Sequence, residues 1–310
     1  MTGLTRRGFL VGVGATVTLP LVGCGPVSTM PNLTMATGDA GGSYFQFGQL
    51  LRAALLRRQA TALTVLTTNG SAENLDLLAD RTVDLAIALA DTAATYPPGF
   101  VAIGRVYQNY LHCVVRADGP VNTLRDIEHQ PVSIGAPGSG TAVTARRILD
   151  VLDLISSPHS AIVTDLTLGE AVAALSSEEI AAFFWSGGIP TPQINQLSDR
   201  IPVKLLDVAG ALNALSARYP DLYVATSIPS GVYGANNTTP TIGIPNLLVA
   251  RPDLSDRVVE ILVDTLIEDT RQLVPADSVG VQYLTPANLI DTSPLPLHPA
   301  AKRRYRERYG

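Results

Sequence analysis

Cysteine is scarce in this chain, and positive charge is not in excess. The 310 residues include two cysteines, and 22 lysines and arginines stand against 27 aspartates and glutamates, which gives a net charge of −5. No basic stripe runs along any predicted helix. These features argue against nucleic acid as a partner.

The sequence also lacks the short motifs of common catalytic and metal sites. It contains no GxSxG turn, no HExxH helix and no cysteine–histidine pair at metal-ligand spacing. Its histidines are scattered, and none accompanies an evident nucleophile; they are His112, His129, His159 and His298. The turn at Ser139–Thr141 lacks the lysine of a phosphate-binding loop, since Ala142 follows directly. These absences favour a binding protein without a cofactor or metal over an enzyme.

The first residues have the pattern of an export signal. Arg6 and Arg7 precede a short apolar core, Leu10–Val22, which is too short to span a bilayer as a stable helix. The segment LVGC, which ends at Cys24, matches the bacterial lipobox, in which the cysteine is acylated. We predict a twin-arginine signal peptide over residues 1–23, lipidation of Cys24 and a flexible tether over residues 24–31. A plain signal peptide with an incidental cysteine is the alternative.

A lipidated Cys24 leaves Cys113 without a disulfide partner. Cys113 lies in the apolar run Tyr110–Val115, which predicts a small buried core residue. The mature chain is then expected outside the cytoplasmic membrane, anchored to it by acyl chains at Cys24.

Apolar runs alternate with amphipathic stretches along the chain, which indicates an α/β fold with a parallel sheet and right-handed crossovers. Strands are predicted at Asn32–Ala36, Leu63–Thr68, Asp84–Ala90, Val101–Tyr107, Leu111–Arg116, Pro131–Ile134, Ile162–Leu168, Ile180–Trp185, Val203–Val208 and Ile242–Ala250. A long helix is predicted at Asp256–Leu273.

The length suits two lobes rather than one compact domain. The pattern restarts near residue 118 and returns near residue 225. We therefore predict lobe 1 over residues 32–117 and 225–310, and an inserted lobe 2 over residues 118–224. Crossing segments near residues 111–118 and 222–228 would form a two-segment hinge, with the ligand between the lobes.

Three turns rich in small residues each end a predicted strand and begin a predicted helix. They lie in the segments TGDAGGSYFQFG, TTNGSAENLDLL and GAPGSGTAVTARRIL. The start of a helix presents free backbone N–H groups and a positive dipole end, which suits an anion. A fourth turn, FFWSGGIP, contains the one tryptophan of the chain, Trp185. We interpret the four turns as one ligand site assembled from distant parts of the chain.

The charges near these turns give a hint about the ligand. No lysine or arginine lies within the turns themselves, so N–H groups and hydroxyls would hold the anion. The nearby acids are Asp39, Glu73 and Asp91. Together they suggest that the ligand carries an amine as well as an anionic group.

The chain resembles the TAXI family, the substrate-binding receptors of one branch of TRAP transporters. The three glycine turns, ADRTVDLAIALAD, FFWSGGIPTPQI and the final LHPAA…YRERYG are similar to the family's motifs over nearly all of the mature chain. The resemblance implies a periplasmic-binding-protein fold of type II that closes on a small carboxylate, such as glutamate, glutamine or an organic acid. It also implies a TRAP membrane permease as partner.

The resemblance assigns ligand contact to a set of turn residues: Gly42, Ser43, Tyr44, Ser71, Asn74, Asp91, Ser139, Gly140, Thr141 and Gly187. The chain departs from the family at Leu89, where many members have glutamine, and at Ala301, where many have glycine. The loss of a polar group at Leu89 puts the usual ligand in question.

Two other functions fit the same pattern. One is a sensory lobe that reports a ligand to a signalling partner, which a neighbouring gene for a sensor kinase would favour over a permease. The other is an exported enzyme on the same fold.

The C-terminal segment has five lysines and arginines between Lys302 and Arg308. It is interpreted as a solvated terminal helix, with contact to anionic lipid as the alternative.

Overall fold

The computed structural model describes residues 32–310. The predicted signal peptide, the lipidation at Cys24 and the tether therefore lie outside the described residues. Strands are β1 (Asn32–Ala36), β2 (Ala62–Leu66), β3 (Leu85–Leu89), β4 (Val101–Arg116), β5 (Pro131–Ser133), β6 (Ile162–Thr164), β7 (Ala182–Gly187), β8 (Val203–Leu205), β9 (Val224–Ile228) and β10 (Thr239–Ala250). Helices are α1 (Ser43–Arg57), α2 (Ser71–Ala79), α3 (Ala90–Ala93), α4 (Gly140–Val151), α5 (Leu168–Ser176), α6 (Pro192–Ser198), α7 (Leu212–Arg218), α8 (Asp256–Glu268), α9 (Pro286–Leu289) and α10 (Pro299–Tyr309).

These strands form one mixed sheet, not the parallel sheet that the alternation predicts. Its order is β2-β1-β3-β10-β4-β7-β5-β6, with β8 paired to β4 and β9 paired to β10. Pairing is parallel at both ends, between β1 and its neighbours and between β5 and its neighbours. It is antiparallel in the middle, where β10 pairs with β3 and β4, and β4 pairs with β7. The parallel prediction is thus correct for the outer strands and wrong for the central ones.

β4 is one strand of 16 residues, where the sequence predicts two. The predicted break falls at Gln108 and Asn109, which are polar but buried. The Gln108 side chain accepts a hydrogen bond from the Tyr283 hydroxyl at 2.6 Å, and Asn109 donates to the Ser186 carbonyl at 3.0 Å. Because these partners satisfy the polar side chains, the strand continues through the interior.

Two of the buried apolar clusters each include residues of both long strands, β4 and β10. One contains Ile103 and Tyr107 of β4 together with Leu248 of β10. The other contains Leu111 and Cys113 of β4 together with Ile242 and Ile244 of β10. Both long strands therefore run from one cluster to the other, as expected of strands that join two lobes. The boundaries at residues 118 and 225 stay predictions.

Cys113 is fully buried and free, as the sequence predicts for a core residue. Burial raises the pKa of its thiol. In residues 32–310, no helix combines the length and apolar character needed to cross a membrane.

The basic C-terminal helix α10 packs on α8 instead of standing free in solvent. Ala300, Ala301 and Tyr305 are buried in the core of lobe 1. On the outer side, Arg303 pairs with Asp256 at 2.6 Å and Arg304 pairs with Asp264 at 2.7 Å, while Arg308 contacts Glu268. Much of the positive charge of this helix, for which contact with anionic lipid was the alternative interpretation, is thus neutralised by carboxylates within the fold.

Candidate ligand-binding site

A cavity lies where α1, α2 and α4 begin, with about 390 Å³ of empty space that includes open solvent. The end of β7 closes it on one side. The structure thus brings three predicted turns to one place, although the first and the last lie about a hundred residues apart in sequence. The lining residues are Gly38, Asp39, Gly42, Ser43, Tyr44, Asn69, Gly70, Ser71, Leu89, Ser139, Gly140, Thr141, Trp185 and Ser186.

Several backbone amides at this cavity have no acceptor among the described residues. They are the N–H groups of Ser43, Tyr44, Ser71, Gly140 and Thr141, at the first turns of the three helices. Such groups have no partner within their own helix, and the aligned peptide dipoles add positive potential at the same point. The cavity therefore offers the hydrogen-bond donors and the positive potential that suit an anion.

α2 differs from the other two helices because the opposite lobe occupies part of its N-terminus. The amides of Ala72 and Glu73 both donate to the carbonyl oxygen of Gly138, at 3.1 Å each. The Ser71 amide remains for a ligand. These bonds also join lobe 1 directly to lobe 2 beside the cavity.

Hydroxyl groups surround the amides on the lobe 1 side. The Ser71 Oγ accepts from the Leu89 amide at 3.0 Å and lies 3.0 Å from the Tyr44 hydroxyl. Burial is the main cause that raises the pKa of Tyr44, so this phenol is a neutral hydrogen-bonding group.

Lobe 2 contributes a matching set of hydroxyls. Ser139 is the N-cap of α4, and its Oγ accepts from the Ala142 amide at 3.1 Å. The Thr141 Oγ1 accepts from the Ser186 amide at 3.0 Å and so ties α4 to β7. The Ser186 hydroxyl itself is buried and has no hydrogen-bond partner among the described residues.

Two glycines allow the lobes to approach this closely. Gly140 has space for hydrogen only, because a Cβ there would lie 2.6 Å from the Ser71 Oγ and 2.7 Å from the Leu89 side chain. Gly70 has a φ of +120°, which side chains rarely adopt, and its α-carbon faces Ser139 across the gap.

The walls carry one carboxylate and no lysine or arginine. Asp39 lines the cavity and is half-buried, and burial raises its pKa. Glu73, which the sequence places near the site, is absent from the lining, and its carboxylate accepts from the Asn69 amide at 2.8 Å. Leu89 is 1% exposed and gives the cavity an apolar patch.

Three of the residues assigned to ligand contact do not line the cavity. Asn74 is buried beneath it, where its amide donates to the carbonyls of Thr37 and Ile87 and so holds β1, β3 and α2 together. Gly187 belongs to β7, where a Cβ would lie 2.3 Å from the Trp185 Nε1. Its neighbour Ser186 faces the cavity instead.

Asp91, the third of these residues, forms a contact between the lobes. Its Oδ2 accepts from Thr144 at 2.6 Å and from the Tyr223 hydroxyl at 2.9 Å. Arg147 donates to the same Tyr223 hydroxyl at 3.1 Å. Asp91 is fully buried, and burial is the main cause that raises its pKa, against the lowering effects of Thr144, Arg147 and Tyr223.

Sequence reasoning missed Ser186 and Asn69 as lining residues. Ser186 was within reach of that reasoning, since it directly precedes the glycine pair of FFWSGGIP. Trp185 also lines the cavity, and its indole N–H donates to the Thr191 hydroxyl at 3.1 Å. Trp185 therefore both packs within the turn and contacts the cavity.

Solved structures share this fold over most of the chain. A putative L-cystine ABC transporter protein from Listeria monocytogenes is 12% identical and superposes with a TM-score of 0.53 over 79% of this chain and 93% of its own. An ancestral arginine-binding protein bound to arginine is 12% identical, with a TM-score of 0.52 over 91% and 100%. The alkanesulfonate-binding protein SsuA from Xanthomonas axonopodis pv. citri bound to MOPS is 15% identical, with a TM-score of 0.50 over 90% and 84%.

The fold is thus that of type II periplasmic binding proteins, as the resemblance in sequence predicts. The sequence profile of the NMT1-like family matches residues 35–308. The chain belongs to the NMT1-like family.

Proposed function

We propose that this protein is an extracytoplasmic substrate-binding receptor of the TAXI type. It captures a small carboxylate between its lobes, either an amino acid such as glutamate or glutamine or an organic acid. It delivers this ligand to a TRAP membrane permease and is held at the outer face of the membrane by lipid on Cys24.

One observation carries this proposal: unpaired amides from three helices of both lobes converge on one cavity. These amides line the cavity, with Ser43 and Ser71 in the predicted lobe 1 and Gly140 and Thr141 in the predicted lobe 2. A carboxylate offers several acceptor sites to such donors, and hydrogen bonds to a charged group are stronger than neutral ones. The half-buried Asp39 is placed to pair with an ammonium group on the same ligand.

The ligands named for similar structures support the same chemistry. Arginine carries a carboxylate and an amine, and MOPS carries a sulfonate. Both are small molecules with an anionic group. The proposed ligand of the present protein has that group too.

The arrangement of the donors gives the mechanism of capture. Only the closed arrangement of the lobes gathers the amides of α1, α2 and α4 around one point. A ligand that contacts both lobes therefore stabilises that arrangement through its differential affinity for it. The closed receptor is the form that the permease would recognise.

The proposal is tested by titration calorimetry with a panel of amino acids and organic acids. We expect Ser139→Ala and Thr141→Val to weaken binding by about 1–3 kcal/mol, because each removes a hydroxyl that donates to the anion. Thr265→Val is the matched control, since the Thr265 hydroxyl donates to the Ile261 carbonyl in α8 and lines no part of the cavity.

Melting temperatures separate binding from folding. Ser139→Ala also removes the cap of α4, which stabilises a protein by about 1 kcal/mol. We expect Thr265→Val to lower the melting temperature without changing affinity. If the two cavity variants bind the panel as tightly as the wild type, the cavity is not the ligand site.

A further inference from the structure

A second cavity adjoins the ligand cavity, with about 560 Å³ of empty space that includes open solvent. Ser43 lines both cavities. The walls of the second cavity include the turn after β7 and part of the segment 275–280, which lies between α8 and α9. We call residues 275–280 the strap. The strap therefore lies beside the ligand cavity and next to a turn of the other lobe.

Both ends of the strap are fixed to the predicted lobe 1. Just before it, Leu273 is buried in the core of that lobe. Just after it, the Val281 carbonyl accepts from the Gln108 amide at 3.1 Å, and the Tyr283 amide donates to the Val106 carbonyl at 2.9 Å. The chain that leaves the strap therefore runs along β4.

The middle of the strap is bound to the predicted lobe 2 instead. The Val279 amide donates to the Ile189 carbonyl at 3.1 Å. Among the described residues, this is the one hydrogen bond that joins residues 275–280 to any part of the chain outside 275–282. A Cβ at Gly280 would lie 3.2 Å from the Tyr110 ring and 3.6 Å from the Ile189 side chain, so the strap backbone lies against both.

This contact falls where the two lobes meet on β4. β7 pairs with one edge of β4 as far as Tyr110 and Gly187, and the chain after the strap continues along the same edge. The bond from Val279 to Ile189 joins these two neighbours of β4 end to end. Because one neighbour belongs to lobe 2 and the other to lobe 1, a rotation of the lobes away from each other would pull this bond apart.

We propose that the strap is a latch, whose bond to Ile189 forms when the lobes close and helps to hold them closed, with or without a ligand. When the lobes open, the strap is released and the second cavity opens beside Ser43. This inference goes beyond the proposed function and does not depend on the identity of the ligand. Its test therefore uses the protein alone.

Amide hydrogen exchange resolved to single residues measures the latch and the closure of the lobes separately. The amides of Ala72 and Glu73 report closure, because both donate to the Gly138 carbonyl across the lobe boundary. Val279→Pro removes the N–H group of the latch. The Val279 side chain is 57% exposed, so its replacement removes little packing.

Ala276→Pro is the matched control, because it places a proline in the same strap without removing a hydrogen bond. The Ala276 amide has no acceptor among the described residues. Ala276 also follows the first residue of the turn that the Ser278 amide closes on the Pro275 carbonyl, and this position favours proline.

We expect Val279→Pro to speed the exchange of the Ala72 and Glu73 amides by about fivefold, since one hydrogen bond between the lobes is lost. Ala276→Pro should leave both rates within about twofold of wild type.

The coupling must also act in the opposite direction. Gly140→Ala hinders closure, because its methyl group would overlap Ser71 across the lobe boundary. We expect it to speed the exchange of the Val279 amide by about tenfold. The amides of Val281 and Tyr283 are internal references, since their acceptors lie on β4, and their rates should stay within about twofold of wild type.

Three results would overturn the latch. They are unchanged exchange of Ala72 and Glu73 in Val279→Pro, equal exchange of Val279 in wild type and Gly140→Ala, and equal acceleration of Val279, Val281 and Tyr283 in Gly140→Ala. Each leaves the proposed function standing, because the calorimetric panel tests ligand binding independently of the strap.

Discussion

The hydroxyl groups at the ligand cavity are already fixed by the protein in a way that suits an anion. The oxygens of Ser139 and Thr141 each accept a backbone N–H, and the Ser71 oxygen accepts the amide of Leu89. A hydroxyl whose oxygen accepts in this way keeps its proton to donate. The same contacts therefore hold the side chains in place and direct their remaining capacity toward an acceptor.

His112 is a buried residue behind the site, and its neighbours determine which ring nitrogen carries the proton. Its Nδ1 lies 2.9 Å from the Tyr110 carbonyl and 3.1 Å from the Trp185 carbonyl, so this nitrogen carries the proton. Its Nε2 accepts from the Tyr233 hydroxyl at 3.0 Å, and that hydroxyl accepts from the Thr191 amide. Burial lowers the pKa of His112 to about 4. The neutral ring therefore supports the β7 turn at neutral pH.

We predict that this histidine makes the protein less stable in mild acid. The histidine binds a proton below pH of about 6.5 in the unfolded chain but only below pH of about 4 in the folded protein. The free energy of unfolding therefore falls as the pH drops through this window, by up to roughly 3 kcal/mol. Thermal melts between pH of about 7 and 4.5 should show a shallower decline in His112→Gln than in wild type.

The control for this prediction is His159→Gln, because His159 is largely exposed and pairs with Glu128 at the surface. This variant should keep the slope of the wild type. Parallel pH profiles for wild type and His112→Gln would show that His112 does not set the acid sensitivity.

At the scale of elements, the sequence predicts the strand–turn–helix units well. The bounds of β1 match the prediction, and α1, α2 and α4 begin at the three small-residue turns, as expected. These units are local, since an apolar run, a small-residue turn and an amphipathic stretch specify them within about 25 residues. Parallel pairing brings the turns after β1 and β2 to one edge. β5 runs in the opposite direction because three antiparallel pairings separate it from these strands, so the turn after β5 meets the other two from the opposite end of the sheet.

Sequence patterns do not predict the features that depend on partners distant in the chain. The direction of β10 is set by its pairing with β3 and β4, more than a hundred residues away. Asn74 has the sequence position of a ligand contact, yet the carbonyls of Thr37 and Ile87 occupy its amide. Nothing in the local sequence distinguishes a polar side chain that faces a cavity from one that lies beneath it and binds the surrounding backbone.

The close approach of α4 to α2 gives a prediction at this scale. We expect Gly140→Ala to abolish ligand binding or weaken it by more than about 3 kcal/mol, because the added methyl group would overlap Ser71 and Leu89 across the lobe boundary. Titration calorimetry with the ligand found for wild type measures the effect.

Gly169→Ala is the matched substitution for this experiment. Gly169 lies in the first turn of α5, and a Cβ there meets nothing within 4 Å. It should bind ligand as wild type does and keep its melting temperature. Wild-type affinity in Gly140→Ala would mean that the lobes need not approach as closely as described.

At the scale of the whole molecule, contacts outside the ligand cavity join the two lobes. The Gly138 carbonyl accepts two amides of α2, and Asp91 of α3 accepts from Thr144 and Tyr223. These bonds form only when α4 lies against lobe 1, so they add to the stability of the closed arrangement whatever the ligand is. We therefore propose that Asp91 is a positioning residue, where the sequence predicts a ligand contact.

This role makes a prediction that a ligand contact would not. Asp91→Ala removes the acceptor of two hydrogen bonds between lobes, and we expect it to weaken all ligands by the same factor, about tenfold or more. A direct contact would instead affect ligands according to the group it touches. Titration of wild type and Asp91→Ala with ligands of different length decides between these patterns.

Thr92→Val is the control because the Thr92 hydroxyl donates to Asp91 at 3.2 Å from within the same helix and crosses no boundary. It should leave every affinity nearly unchanged. Small-angle scattering of Asp91→Ala at saturating ligand should give the compact radius of wild type, while a larger fraction of extended molecules should appear at intermediate ligand concentration. Affinity losses that differ among ligands would return Asp91 to the binding site, because a contribution to closure alone is common to them all.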